Sequence, residues 1–403
     1  MKQIITIIAG FLLFVACSHD DQEDTDDHVD RAVLVYMAGD NDLSSYINND
    51  LSSYINDDIR EMMAGSRELD KHQKLVLFVD KRGQRSYLLE VAKGDTTRLQ
   101  TFGSDLKSSD ASVLQMAMEQ VVQRYPCNSY GLVLWGHADG WIYKDNEQAA
   151  QARRAYGLTT SGGKTWMNIP DMAKALAVVP KLEFIFADCC DFQSVESAYE
   201  LRDVTNYIMA SPAEIPGEGA PYSTLVPTMF SKSETFYQQM ADAYYAQVMY
   251  GWRVPLSVIR TSAMEALAAA TKKALASFVP SLPDSRYPDV SGLIYYFDKT
   301  LIDMNDFMMR HAATDEYEAW KQVFDKADNA AVAYKKFAYP WRANHVTSGD
   351  FTASEERYGG VSMYVPMDAS KYSSDIRDVI AIQNKNIHKM AWYQAAGLAD
   401  LGW

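Results

Sequence analysis

Cysteine is scarce: four occur in 403 residues, at positions 17, 127, 189 and 190. They are too few and too badly spaced for a disulfide framework or a zinc site built from CxxC pairs. Basic charge is short as well, with 38 Lys and Arg against 53 Asp and Glu and a net charge of −15. Nucleic-acid surfaces need clustered cations, so that class is set aside, while a cationic substrate would be drawn in. No apolar run reaches the roughly 20 residues of a membrane-spanning helix. No EF-hand spacing occurs either. The 8 Trp and 25 Tyr are scattered without a stripe, so they read as packing residues and not as a carbohydrate platform.

What is present begins at the N-terminus. Lys2, the apolar run Ile4 to Val15, and then Ala16 and Cys17 form the pattern of a bacterial lipoprotein signal. A run of about a dozen apolar residues suits a cleaved export signal and is too short to span a bilayer. Residues 1–17 are therefore expected to be that signal, with Cys17 the lipidated residue and the membrane engaged through the anchor alone. Residues 18–30, SHDDQEDTDDHVD, are acidic and nearly free of apolar groups, which makes them a solvated tether. An acidic stretch directly after such a cysteine resembles the export signal of surface-exposed lipoproteins. The expected location is the bacterial outer membrane.

From Arg31 onward short, wholly apolar runs recur at 32–37, 75–79, 131–135, 182–187 and 207–210. Runs of that length read as strands buried on both faces. Between them, amphipathic stretches at 43–64, 108–124, 170–178 and 192–202 read as helices. The alternation predicts an α/β fold with a largely parallel sheet, whose ligands bind beyond the carboxyl ends of the strands. We expect residues 31–230 to carry this domain and 231–403 to form a mixed region packed on it. A near-repeat, DLSSYIN at 42–48 and 50–56, is read as an extension of one helix, and two copies make no solenoid.

Two loops carry candidate chemistry, each directly after an apolar strand: Trp135-Gly136-His137-Ala138-Asp139-Gly140-Trp141, and Asp188-Cys189-Cys190-Asp191 leading to a helix expected near Phe192. If the strands are neighbours, an imidazole and a thiol meet above one sheet edge. Acyl transfer needs that set: a nucleophile, a proton carrier, and backbone N–H groups for the oxyanion. A helix N-terminus and an imidazolium would both lower the thiol pKa. Taken singly, the His reads equally as a structural residue and the Cys as a small hydrophobe. Metal binding by His137 with the paired cysteines lacks a fourth ligand. Cys127 has no basic neighbour and reads as structural.

YMAGDNDL at 36–43, YGLVLWGHADGW at 130–141, FADCCDFQSVESAYEL at 186–201 and YIMASPAEIPGEGAPY at 207–222 resemble, in order and spacing, the blocks of the clostripain family. LSVIRTSAMEAL at 256–267 and YGGVSMYVPM at 358–367 resemble its C-terminal region. The resemblance implies a caspase-like fold and a cysteine endopeptidase that cuts after Arg or Lys. It puts the histidine on His137 and the nucleophile on Cys190, counted back from Glu196, with the backbone N–H groups of Ala138 and Cys190 as the oxyanion hole. It further implies carboxylates for a basic side chain, for which Asp188 and Glu218 are the candidates, with Glu214 a weaker third. It also implies self-cleavage between the two loops, expected after Arg153 or Arg154. The resemblance allows calcium without requiring any cofactor, and the Asp40-Asn41-Asp42 run reads as a turn with capping acids.

Three departures from the family pattern bear on activity. Ala138 replaces a glycine, and a positive φ would be costly there. Vicinal Cys189 and Cys190 could form a strained disulfide. Asp191 would help a helix N-terminus but raise the thiol pKa. The alternative is therefore a catalytically inactive surface lipoprotein that binds peptides or proteins with the same fold.

Overall fold

The computed structural model describes residues 28–44, 53–103, 106–143, 156–249, 251–276, 278, 287–297, 300–341 and 352–403. Cys17, Arg153 and Arg154, and most of the DLSSYIN repeat, lie outside them.

The predicted apolar runs all become strands: β1 (Arg31–Gly39), β2 (Gln73–Lys81), β5 (Tyr130–Gly136), β8 (Leu182–Asp188) and β9 (Thr205–Ala210). They form the parallel centre of a nine-stranded sheet in the order β12-β10-β9-β8-β5-β1-β2-β3-β4. The edges are antiparallel: β3 (Tyr87–Ala92) and β4 (Asp95–Thr101) on one side, β10 (Leu256–Arg260) and β12 (Val332–Lys336) on the other. Two small antiparallel sheets stand apart from this one, the hairpin of β6 (Tyr156–Thr159) with β7 (Thr165–Met167), and the sequence-distant pair β11 (Leu301–Asp303) with β13 (Ser362–Tyr364).

Helices cover both faces, as continuously apolar parallel strands require. One face carries α1 (Tyr54–Gly65), α5 (Tyr222–Met229) and α6 (Phe236–Ala246). The other carries α2 (Ala111–Arg124), α3 (Ile169–Leu176), α4 (Val195–Glu200), α7 (Met264–Leu275), α8 (Met304–His311), α9 (Thr314–Lys321), α10 (Ser374–Asn386) and α11 (Ala391–Ala395). Side chains alternate between the faces along each strand: in β8, Phe184 and Phe186 face the α1 side while Ile185 and Ala187 face the α4 side.

Two expectations need correction, and one element was unforeseen. The helix read over 43–64 begins only at Tyr54, and its start is preceded by a short 3₁₀ turn at Asp42–Ser44. The helix expected near Phe192 begins at Val195 and runs six residues, because Ser194 caps it by accepting the Ser197 N–H. The β3–β4 hairpin was not anticipated. Its second strand, DTTRLQT, is largely polar and exposed because it is an edge, and its turn uses Lys93 and Gly94 at φ +53° and +85°. The strands β10 and β12 carry the sheet past residue 230.

Candidate active site

The register of β5 and β8 decides where the two loops stand. Trp135 lies opposite Asp188 in this parallel pair. Two residues further along, His137 and Cys190 leave the sheet at the same level, on strands about 4.8 Å apart. The loops then touch: a Cβ on Gly140, which sits at φ +78°, would stand 3.0 Å from the Asp191 carbonyl oxygen. Glycine is required there for both reasons.

Strand alternation separates the two cysteines. Cys189 is buried in the core on the α4 face, while Cys190 is half-buried and packs against the α1/α5 face. Both thiols are free. With their side chains aimed at opposite faces, a vicinal disulfide would need the backbone to reorganise. Trp135, Asp188 and Cys190 share one face.

The Cys190 sulfur rests against the segment after β9, where the Ile215 N–H points at it from 3.5 Å. Burial, then the Asp191 carboxylate, push its thiol well above the ordinary value, with the Ile215 N–H acting the other way and Glu214 and Asp139 adding to the rise. The expected help from a helix N-terminus is missing, since residues 191–193 separate Cys190 from the Ser194 cap. Of the two opposed effects expected of Asp191, the charge prevails. Asp191 also takes the left-handed backbone at φ +55°, which Asp tolerates better than most residues.

Ala138 avoids the strain foreseen for it. It is not among the described residues with positive φ, and it pairs with Tyr156 in an antiparallel bridge, where the Gly157 N–H donates to the His137 carbonyl at 2.9 Å. Its own N–H points away from that bridge. Among the described residues, neither the Ala138 nor the Cys190 N–H has a hydrogen-bond acceptor.

His137 is one-third exposed, and its Nε2 lies 2.9 Å from Oδ1 of Asp42. Asp42 is held below the usual carboxylate range chiefly by this hydrogen bond. Sequence reasoning assigned Asp42 only a capping role.

Asp188 does not cap a helix. Its Oδ2 accepts from Tyr222 Oη at 2.7 Å and from the Ala220 N–H at 3.1 Å, while Oδ1 has only the long 3.5 Å contact from Tyr244 Oη. Burial pushes this carboxyl up to about 6, against the pull of those donors. Asp58 of α1, missed in the sequence, is equally buried and takes the indole N–H of Trp135. Burial first, then Asp188, push Asp58 well above the carboxylate range, with Glu61 and Glu218 adding to the rise. Glu218 sits in the turn closed by the Gly219 N–H to Pro216 carbonyl bond. A Cβ at Gly219, at φ +63°, would meet Asp188 Oδ2 at 2.7 Å, so this turn is pressed directly on the carboxylate.

A model of the clostripain family matches residues 35–374. The chain belongs to the clostripain family. Its solved relatives include a secreted C11 cysteine protease of Bacteroides thetaiotaomicron in complex with an irreversible peptide inhibitor, at 29% identity and TM-score 0.72, with 92% of this chain and 99% of that one covered. An inactive zymogen C11 protease of Parabacteroides distasonis is 26% identical at TM-score 0.68, covering 92% of this chain and 98% of that one. Another secreted C11 protease of B. thetaiotaomicron, 17% identical at TM-score 0.69 over 92% of this chain and 99% of that one, speaks to the fold alone. No curated protein matches. The fold is thus caspase-like and the chain is a cysteine peptidase acting on peptide or protein substrates.

The side chains of the 40–42 run are taken up by contacts within the chain. Asp40 accepts from the Ser161 N–H and Oγ, Asn41 is engaged with Ala38, Leu158 and Leu43, and Asp42 holds His137. Among the described residues no group of three His, Cys, Asp or Glu forms a metal cradle, and no helix is long and apolar enough to cross a membrane.

Proposed function

We propose that this peptidase cuts after Arg or Lys through an acyl-enzyme on Cys190, with His137 as its acid and base. The observation that carries this is the Trp135–Asp188 register, which sends the two residues off the same sheet edge. The Cys190 sulfur attacks the scissile carbonyl as its proton passes to His137. The oxyanion takes the N–H groups of Ala138 and Cys190, which have no acceptor among the described residues. His137 then protonates the departing amine and afterwards removes a proton from the water that hydrolyses the thioester.

Selectivity for a basic side chain follows from the carboxyls beneath the nucleophile. Asp188 is on the same face as Cys190, its Oδ1 is only loosely held, and the turn carrying Glu218 is pressed against it. A desolvated guanidinium needs such pairing. Hydrolysis of fluorogenic peptides ending in Arg, Lys or Leu, by wild type, Cys189→Ala and Cys190→Ala, tests the reading. Activity confined to the basic peptides and lost only in Cys190→Ala supports it. A Cys190→Ala protein that still cleaves, or a preference for Leu, overturns it.

Two further parts rest on sequence. Self-cleavage after Arg153 or Arg154 would fall in a segment that leaves the described chain at Tyr143 and rejoins it at Tyr156, beside Ala138. Wild type should then purify as two chains and Cys190→Ala as one; equal masses count against it. Export and anchoring through Cys17 predict a lipid mass on the mature N-terminus that Cys17→Ala lacks.

A further inference from the structure

The strand β1 ends in a turn whose construction exceeds what a connection needs. Asn41 is fully buried: its Nδ2 donates to the Ala38 and Leu158 carbonyls, both at 2.9 Å, and its Oδ1 accepts the Leu43 N–H at 3.0 Å. On the preceding residue, Asp40 fixes the same turn to Ser161 through bonds of 3.0 and 2.7 Å. Between these anchors and α1, Asp42 presents its carboxylate to His137 Nε2 at 2.9 Å.

An ion pair this exposed, with the Asp42 side chain 74% accessible, is worth little when both partners are free to move. Here the carboxylate is offered from a pinned turn, so the ordering cost is met before substrate arrives. With Nε2 engaged, Nδ1 is the ring nitrogen left for the thiol.

The geometry points to Asp42 as the positioning residue of an Asp42–His137–Cys190 relay, in which the carboxylate fixes the imidazole as the Nε2–H tautomer. This rests on the proposed roles of His137 and Cys190. In the relay the Cys190 proton moves to the Nδ1 lone pair, leaving a thiolate and an imidazolium whose Nε2–H stays on Asp42. The carboxylate accepts no proton. Its part is orientation and compensation of the imidazolium charge. The other charged groups around the site are Arg82 behind Asp42, and Asp139, Asp191 and Glu214 around the sulfur.

The test compares wild type, Asp42→Asn and Asp42→Ala as full mature chains. Three readouts are needed: ring ¹⁵N shifts of His137, the rate at which iodoacetamide alkylates Cys190 at neutral pH, and kcat and KM on an Arg peptide. We expect the wild-type ring to hold its proton on Nε2, and Asp42→Ala to mix the tautomers. Alkylation and kcat should then fall about 10-fold or more with KM unchanged. Asp42→Asn, which keeps an acceptor oxygen without the charge, should retain the tautomer and recover part of the rate. An unchanged tautomer and alkylation rate in Asp42→Ala would overturn the relay. The ring measurement needs no substrate, so failure of the peptidase reading would show separately, as Cys190→Ala protein that still cleaves.

Discussion

Oδ2 of Asp188 receives the Tyr222 hydroxyl at 2.7 Å, so the acid just before the two cysteines is clamped by α5 and by no helix of its own. That clamp leaves Oδ1 as the oxygen with capacity for a substrate cation.

In the proposed reading, the Asp188 carboxyl, raised to about 6, gives the binding of a basic side chain a pH dependence. Below that value the group is neutral and cannot compensate a guanidinium. The KM for an Arg peptide should therefore rise as pH falls through 6, and Asp188→Asn should abolish that rise. Loss of a buried charge pair costs about 2 to 5 kcal/mol, so Asp188→Asn should also lower kcat/KM for Arg by at least roughly 30-fold while sparing a neutral analogue.

After burial, Asp191 does most to raise the resting thiol. Asp191→Asn keeps a residue that tolerates the left-handed backbone at φ +55° and removes the charge that raises the Cys190 thiol. Iodoacetamide should modify Cys190 faster in this variant at neutral pH, whereas Asp191→Ala should also lose stability through backbone strain.

Cys189 is buried on the opposite face from Cys190. Cys189→Ala should retain activity and lose about 1 to 2 kcal/mol of stability, from the small cavity left behind, as read by chemical denaturation. Because the sulfurs diverge, reductant should leave the wild-type rate unchanged.

Glu196 is fully buried, accepts the Tyr364 N–H on Oε1 at 2.7 Å, and has no partner on Oε2. Burial raises it from 4.5 to about 7. With the folded value above the unfolded one, its contribution is fully present below about 4.5 and is lost as pH rises through about 7. Melting curves should show this loss in wild type, on the order of 3 kcal/mol, and Glu196→Gln should flatten it.

Much of this was legible in the sequence because buried parallel strands announce themselves as unbroken apolar runs. The loops holding His137 and Cys190 follow two such runs directly. The charge environment was not legible. Asp58 looks like one more polar residue of α1 until its burial beneath Trp135 is seen, and Asp42 looks like a capping acid until β1 and β5 lie side by side. The missing helix dipole at Cys190 turns on where Ser194 caps α4, a boundary that residue pattern does not fix. The polar edge strand β4 carries no core signal at all.

The nucleophile can be read directly by incubating wild type, Cys189→Ala and His137→Ala with a peptidyl-arginine acyloxymethyl ketone, whose carboxylate leaves as the sulfur is alkylated, and mapping the adduct by mass spectrometry. Wild type and Cys189→Ala should carry one adduct on Cys190, and His137→Ala little or none. An adduct on Cys189, or undiminished labelling without His137, would contradict the account.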